Sequence, residues 1–103
     1  MHIHQAIDIL ETEFQYMVPP EHVTVDEHGF FCLVGDLLRA LYVEPQYRGQ
    51  GHGKRLVNLA RQQHGGPLRL ECNTELVPYY RKLGFRTKRS VRRGDFHIMQ
   101  QEA

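Results

Sequence analysis

Apolar positions recur at three- and four-residue spacing from the start of the chain, at Ile3, Ala6, Ile7, Leu10, Phe14 and Met17. This period predicts one amphipathic helix, which must end before Pro19-Pro20 because proline supplies no backbone N–H. The pattern then tightens into three short β-rich runs, His22 to Asp26, Phe30 to Val34 and Leu37 to Val43. Glu27-His28-Gly29 and Gly35-Asp36 divide them, which predicts an antiparallel meander. After a glycine-rich stretch the helical period returns, with Leu56, Leu59 and Ala60, and Val57 beside them, as the expected core face. Gly65-Gly66-Pro67 breaks that helix. Leu68 to Cys72 reads as a buried strand, Glu75 to Leu83 as a second helix capped by Gly84, and Phe85 to Val91 with Phe96 to Gln100 as a hairpin around Arg92-Arg93-Gly94-Asp95.

A length of 103 residues supports one domain, residues 1–103, near the small end for a self-sufficient core. A homodimer interface would be a natural further source of buried surface. Apolar runs are too short for a membrane span, and acids stand where a secretory signal would carry basic residues, so a cytoplasmic protein is expected. Cys32 and Cys72 fall in strand-like runs and read as reduced core thiols. Seven histidines include His2-x-His4, but no motif supplies a third ligand, so no metal site is expected.

Charge is distributed unevenly. Residues 1–38 hold seven acids and no Lys or Arg, whereas the remainder carries all thirteen Lys and Arg against five acids. One pole suits cations and the other anions.

The segment from Leu41 to Arg55 runs from an apolar strand through a glycine-rich turn into a helix. A helix start leaves N–H groups unpaired and concentrates about half a positive charge, so it holds an anion without a dedicated side chain. Gly49, Gly51 and Gly53 permit close approach, and Arg48, Lys54 and Arg55 add formal charge. No Gly-Lys-Ser/Thr follows as in a P-loop, and the spacing is not that of a dinucleotide fingerprint.

Arg48-x-x-Gly51-x-Gly53, after a strand ending in Val43-x-Pro45, resembles the acyl-CoA-binding motif of the GNAT superfamily of N-acetyltransferases. A second match, Asn73 to Phe85 with Tyr79-Tyr80-Arg81-Lys82-Leu83-Gly84-Phe85, resembles that family's late helix. The resemblance spans roughly residues 22 to 100. It implies a single α/β (α+β) domain with a mixed, mostly antiparallel sheet and helices packed on it, lacking the family's usual first strand and second helix. It also implies an N-acetyltransferase that uses acetyl-CoA as donor and a primary amine as acceptor.

By resemblance, the strands at residues 37–43 and 68–72 splay apart. Main-chain groups of Leu41 and Val43 then meet the pantetheine arm, and the amides of Gln50, Gly51, His52, Gly53 and Lys54, beside Arg48 and Gly49, hold the pyrophosphate. Asn73 corresponds to an asparagine that bonds the arm, although helix N-capping explains it nearly as well. Tyr80 corresponds to the tyrosine facing the coenzyme sulfur, where its hydroxyl would protonate the departing thiolate; Tyr79 reads as packing. An acceptor amine must lose a proton, yet the fourth-strand position of the usual base holds Leu37 and Arg39. Asp36, Glu44 and Glu71 are the nearest carboxylates, each with the character of a surface acid. The acidic first third favours a cationic acceptor, a small molecule or a protein or peptide amine, whereas Arg39 in the groove would favour a carboxylate.

The missing base and shortened front end also fit a non-catalytic acyl-CoA-binding regulatory module on the same fold. Arg86, Lys88, Arg89, Arg92 and Arg93 near Phe85 and Phe96 would suit nucleic acid, but a solvated basic hairpin is the favoured reading.

Overall fold

The computed structural model describes residues 1–15 and 17–102, with the backbone alone of Arg92. Helix α1 spans Ile3–Ile9. His2 begins it with a capping box: its Nδ1 accepts from the His4 amide at 3.2 Å, while Gln5 accepts from the His2 amide at 2.9 Å. His-x-His here is a helix start.

The expected single helix does not continue to Met17. At Leu10–Phe14 the turn widens to π geometry, closed by Gln15 N–H on the Leu10 carbonyl, and Gln15 then takes a left-handed φ of 58°. Tyr16, inside the predicted helix, lies outside the described residues. Met17 is 85% exposed because the wider turn and the left-handed exit take it off the apolar stripe.

Six strands follow: β1 (Val23–Val25), β2 (Gly29–Val34), β3 (Leu37–Val43), β4 (Arg69–Asn73), β5 (Phe85–Val91) and β6 (Phe96–Gln101). They form one sheet in the order β1-β2-β3-β4-β6-β5. All neighbours are antiparallel except β3 and β4. Helix α2 (His52–His64) connects that parallel pair, and α3 (Val77–Lys82), preceded by a 3₁₀ turn at Thr74–Leu76, connects β4 to β5. Gly84 closes α3 through its amide on the Arg81 carbonyl at 3.1 Å. Thus the predicted elements form, with the Glu75–Leu83 helix divided into a 3₁₀ turn and α3. No helix among the described residues is long and apolar enough to cross a membrane.

The sheet separates two apolar clusters. On one face Phe31, Leu38, Val43, Leu70 and Met99 pack with Leu56, Val57 and Ala60 of α2 and Val77 of α3. On the other, Ala6 and Leu10 cover Phe30, Cys32 and Ala40. Leu59, predicted for the α2 core face, is 40% exposed, since Leu56, Val57 and Ala60 already fill the stripe that meets the sheet. Cys32 and Cys72 are free, buried thiols, and burial pushes both above the usual thiol range, against the opposing pull of Arg39 at Cys32.

A bulge sets which side chains of β3 face which cluster. Cys32 pairs with Ala40 but Leu33 with Leu38, so Arg39 stands opposite no residue. The alternation shifts there, and Leu38 and Val43 share the α2 face while Ala40 turns to α1.

Asp26 organises the β1–β2 turn, its Oδ1 accepting the His28 and Gly29 amides at 2.9 Å each. Its Oδ2 pairs with Arg55 of α2 at 2.8 Å, tying turn to helix. Arg55→Met should therefore lower stability by about 1 kcal/mol in urea unfolding, the scale of a half-exposed ion pair. A side-chain carbon at Gly29 would fall on the Tyr42 carbonyl oxygen, with Leu56 Cδ1 3.2 Å away. Because that obstacle is backbone, Gly29→Ala should cost roughly 3 kcal/mol in the same measurement.

Candidate functional site

Parallel pairing between β3 and β4 is confined to Leu37 and Arg69. That end is held twice, by the Arg69 amide on the Asp36 carbonyl and by Arg69 Nε on Asp36 Oδ1, both at 2.9 Å. Beyond it the strands diverge. The Glu44 amide donates to His28 at 2.8 Å, which fixes the β2 side of the ladder. Alternation then turns the backbone groups of Leu41 and Val43 toward the gap.

A cleft of about 500 Å³ lies beside the end of β3 at Leu41, Tyr42 and Val43, lined also by Leu76, Tyr79, Tyr80 and Leu83 of the β4–β5 connection rather than by β4 itself. Its walls include Leu41, Val43, Tyr80 and Leu83 on the α2–α3 side of the sheet and Phe14 and Tyr42 on the α1 side. One end is the loop leading into α2, contributing Arg48, Gly49, Gly51, His52, Gly53 and Lys54.

Gly51 is the N-cap of α2, with φ 88°, and has no side-chain capping bond. The left-handed turn delivers the chain into the helix, and the first helical bond, Arg55 N–H to the Gly51 carbonyl at 3.1 Å, leaves the His52, Gly53 and Lys54 amides without intrahelical partners. A Cβ at Gly49 or Gly51 would meet nothing within 4 Å, so the space beside these two positions is open. Tyr47 stacks on His28 at 3.6 Å between ring centroids, and His28 meets His52 edge-on at 5.0 Å, bracing the loop on the β1–β2 turn.

The three loop cations are not equivalent. Arg48 Nε donates to the Val43 carbonyl at 2.8 Å, and its guanidinium lies 5.4 Å from the Tyr42 ring centroid. Arg55 is committed to Asp26 and approaches His52 Nδ1 at 3.1 Å. Lys54 lines the cleft beside Arg48, is exposed and makes neither an ion pair nor a hydrogen bond among the described residues. In this arrangement Arg48 braces the strand end, so Val43 presents its N–H, but not a vacant carbonyl, to the gap.

Tyr80 lies partly buried in the cleft wall, edge-on to Phe85 at 5.9 Å and to Tyr79 at 5.1 Å. Tyr79, expected merely to pack, is 43% exposed and also lines the cleft. Its hydroxyl occupies the place a Gly53 side chain would need, so Gly53, unlike Gly51, is accommodated by close approach. Burial pushes the Tyr79 hydroxyl above the usual tyrosine range, against the opposing pull of the Arg48 guanidinium, so it remains a neutral donor near neutral pH.

Asn73 and Gln50 stand outside the cleft lining. Asn73 occupies the N-cap position of the Thr74–Leu76 turn, but its side chain makes no capping bond, so capping does not explain it. Thr74 instead turns its hydroxyl to the Gly94 carbonyl across the β5–β6 turn. Gln50 bonds the Gln46 carbonyl at 3.3 Å.

The carboxylates weighed from the sequence also lie elsewhere: Asp36 on Arg69, Glu44 on Gln46 at 3.3 Å, and Glu71 exposed on β4. The lining carboxylate is Glu13, and Arg39 is absent from the lining. Nothing in the local pattern singles out Glu13, because only the packing of α1 under the sheet brings it there.

Comparisons with known proteins agree with this geometry. A model of the GNAT acetyltransferase domain matches residues 19–87. The peptidyl-lysine N-acetyltransferase YjaB of Salmonella typhimurium is 42% identical over 60 residues, 56% of this chain and 41% of that protein, so the match spans about two fifths of that relative. The solution structure of apo YjaB from Escherichia coli superposes with a TM-score of 0.60 at 27% identity, covering 79% of this chain and 65% of that one. Ard1 from Thermoplasma volcanium superposes with a TM-score of 0.63 at 20% identity over 96% of this chain and 89% of its own, a likeness of fold. PaiA N-acetyltransferase from Thermoplasma acidophilum, solved in complex with coenzyme A, gives 0.59 at 24% identity over 74% and 54%, again a likeness of fold. With two thirds of its length matched by the domain model and the splayed strands joined by a glycine loop and helix, the chain belongs to the GNAT acetyltransferase family.

Proposed function

We propose that the cleft binds acetyl-CoA and that the chain transfers the acetyl group directly to a primary amine in a ternary complex. The observation that carries this reading is the opening between β3 and β4 beside the unpaired amides at the start of α2. These groups fit the donor: the His52, Gly53 and Lys54 amides with the Lys54 ammonium suit a pyrophosphate, and the free edge of β3 at Leu41 suits an amide-bearing arm. Acetyl-CoA supplies the activated thioester. Arg48 keeps β3 and the loop in register through Val43.

In the transfer, the amine nitrogen bonds to the acetyl carbon, the carbon–sulfur bond breaks, and Tyr80 donates its hydroxyl proton to the departing sulfur. The amine loses its proton to solvent at the cleft mouth, and solvent returns a proton to the Tyr80 oxygen. A relative named as a peptidyl-lysine acetyltransferase and the acids of residues 1–38 support a cationic acceptor, either a small molecule or a protein or peptide amine. Buried, reduced Cys32 and Cys72 suit the cytoplasm as the site of action.

Calorimetric titration of acetyl-CoA should show binding by the parent and at least about tenfold weaker binding by Gly51→Glu, which sets a negative charge in the loop. An unchanged helical circular-dichroism signal would separate loss of the site from loss of the fold. No binding by the parent would remove the reading. Tyr80→Phe should bind acetyl-CoA as the parent does but turn over about a hundredfold more slowly in an amine screen; unchanged turnover would remove Tyr80 from the reaction.

A further inference from the structure

We propose that Glu13 anchors the acceptor, and that the preferred acceptor carries a second cationic group besides the amine that is acetylated. This rests on the acetyl-transfer reading above and assigns the substrate class to one end of the same cleft.

The cleft lies at the end of β3, with Tyr80 on the α2–α3 side and Phe14 and Tyr42 on the α1 side. Glu13 stands at the α1 side and is the one carboxylate in the lining among the described residues. It is exposed and makes no ion pair or hydrogen bond among the described residues, so its charge is available to a ligand. The π turn places it there: closure by Gln15 on Leu10 widens the last turn, while Phe14 is pinned edge-on against Phe30 at 6.3 Å. Such turns recur where a helix has been adapted to present a functional side chain.

The loop into α2 adds Arg48 and Lys54 to the lining, with the Arg48 guanidinium 5.4 Å from the Tyr42 ring centroid. With the pyrophosphate of the bound donor covering the loop charges, a dicationic acceptor is drawn to Glu13, which holds one cation on the α1 side and leaves the other amine for the gap. The held cation does not react. Glu13 stays ionised throughout, and only the amine in the gap gains the acetyl carbon as the thioester bond breaks.

The test compares matched acceptors in the full-length chain. A straight-chain diamine is set against a monoamine of equal length, and a lysyl peptide with one extra lysine against the same peptide without it. The parent should favour the dicationic member by roughly fivefold in kcat/KM, the upper range for one partly exposed ion pair. Glu13→Gln should bring the ratio close to one, while Glu11→Gln, which removes an exposed charge outside this cleft, should retain it. A preference confined to the amine pair identifies a small diamine, and one confined to the peptide pair identifies a basic peptide. A ratio retained in Glu13→Gln, or no preference in the parent, overturns the assignment. If no amine is acetylated, the transfer reading fails separately. The same pairs are then titrated into protein saturated with coenzyme A, where a Glu13-dependent preference supports the cation site and its absence overturns it.

Discussion

The structure depends on a parallel strand pair that is fastened at one end and open at the other. Asp36 and Arg69 join β3 to β4 through backbone and side chain together, and the pairing stops at Leu37 and Arg69. Strand backbone without a neighbouring strand carries polar groups that water or a ligand must satisfy. The sheet continues antiparallel on both sides of the gap, so the opening is held between two stable halves.

Helix α2 sets its unpaired first amides beside that opening. It leaves β3 through a turn with left-handed glycines and lies over the sheet by burying Leu56, Val57 and Ala60, which fixes its first amides beside the gap. The Asp26–Arg55 pair and the His28–Tyr47 stack then attach the loop to the β1–β2 turn, two elements remote along the chain. Loop position is therefore set by tertiary contacts at both its helix and its flank.

The bulge at Arg39 and the π turn at Leu10–Phe14 are two departures from regular geometry that shape opposite sides of the cleft. The bulge gives Leu38 and Val43 to the α2 face while Ala40 meets α1. The π turn seats Phe14 against Phe30 and ends the helix before Met17. Each inserts or accommodates an extra residue where an unbroken period would have placed the side chains differently.

The sequence by itself determined the order of elements, the meander and the strand–loop–helix unit, because residue periodicity and glycine placement act between neighbours along the chain, and its two motifs carried the family resemblance. It located the loop for the same reason, and the Tyr79-Tyr80 pair through the resemblance of residues 73–85 to the family's late helix. Tertiary structure alone decided that Leu59 faces outward, that Arg48 and Arg55 serve Val43 and Asp26, that Asn73 caps nothing, and that Glu13 reaches the cleft. Long charged side chains take partners by distance through space, and a helix stripe wider than the surface it covers leaves one apolar residue in water. Neither outcome is encoded in local spacing; both follow from how the helices settle on the sheet.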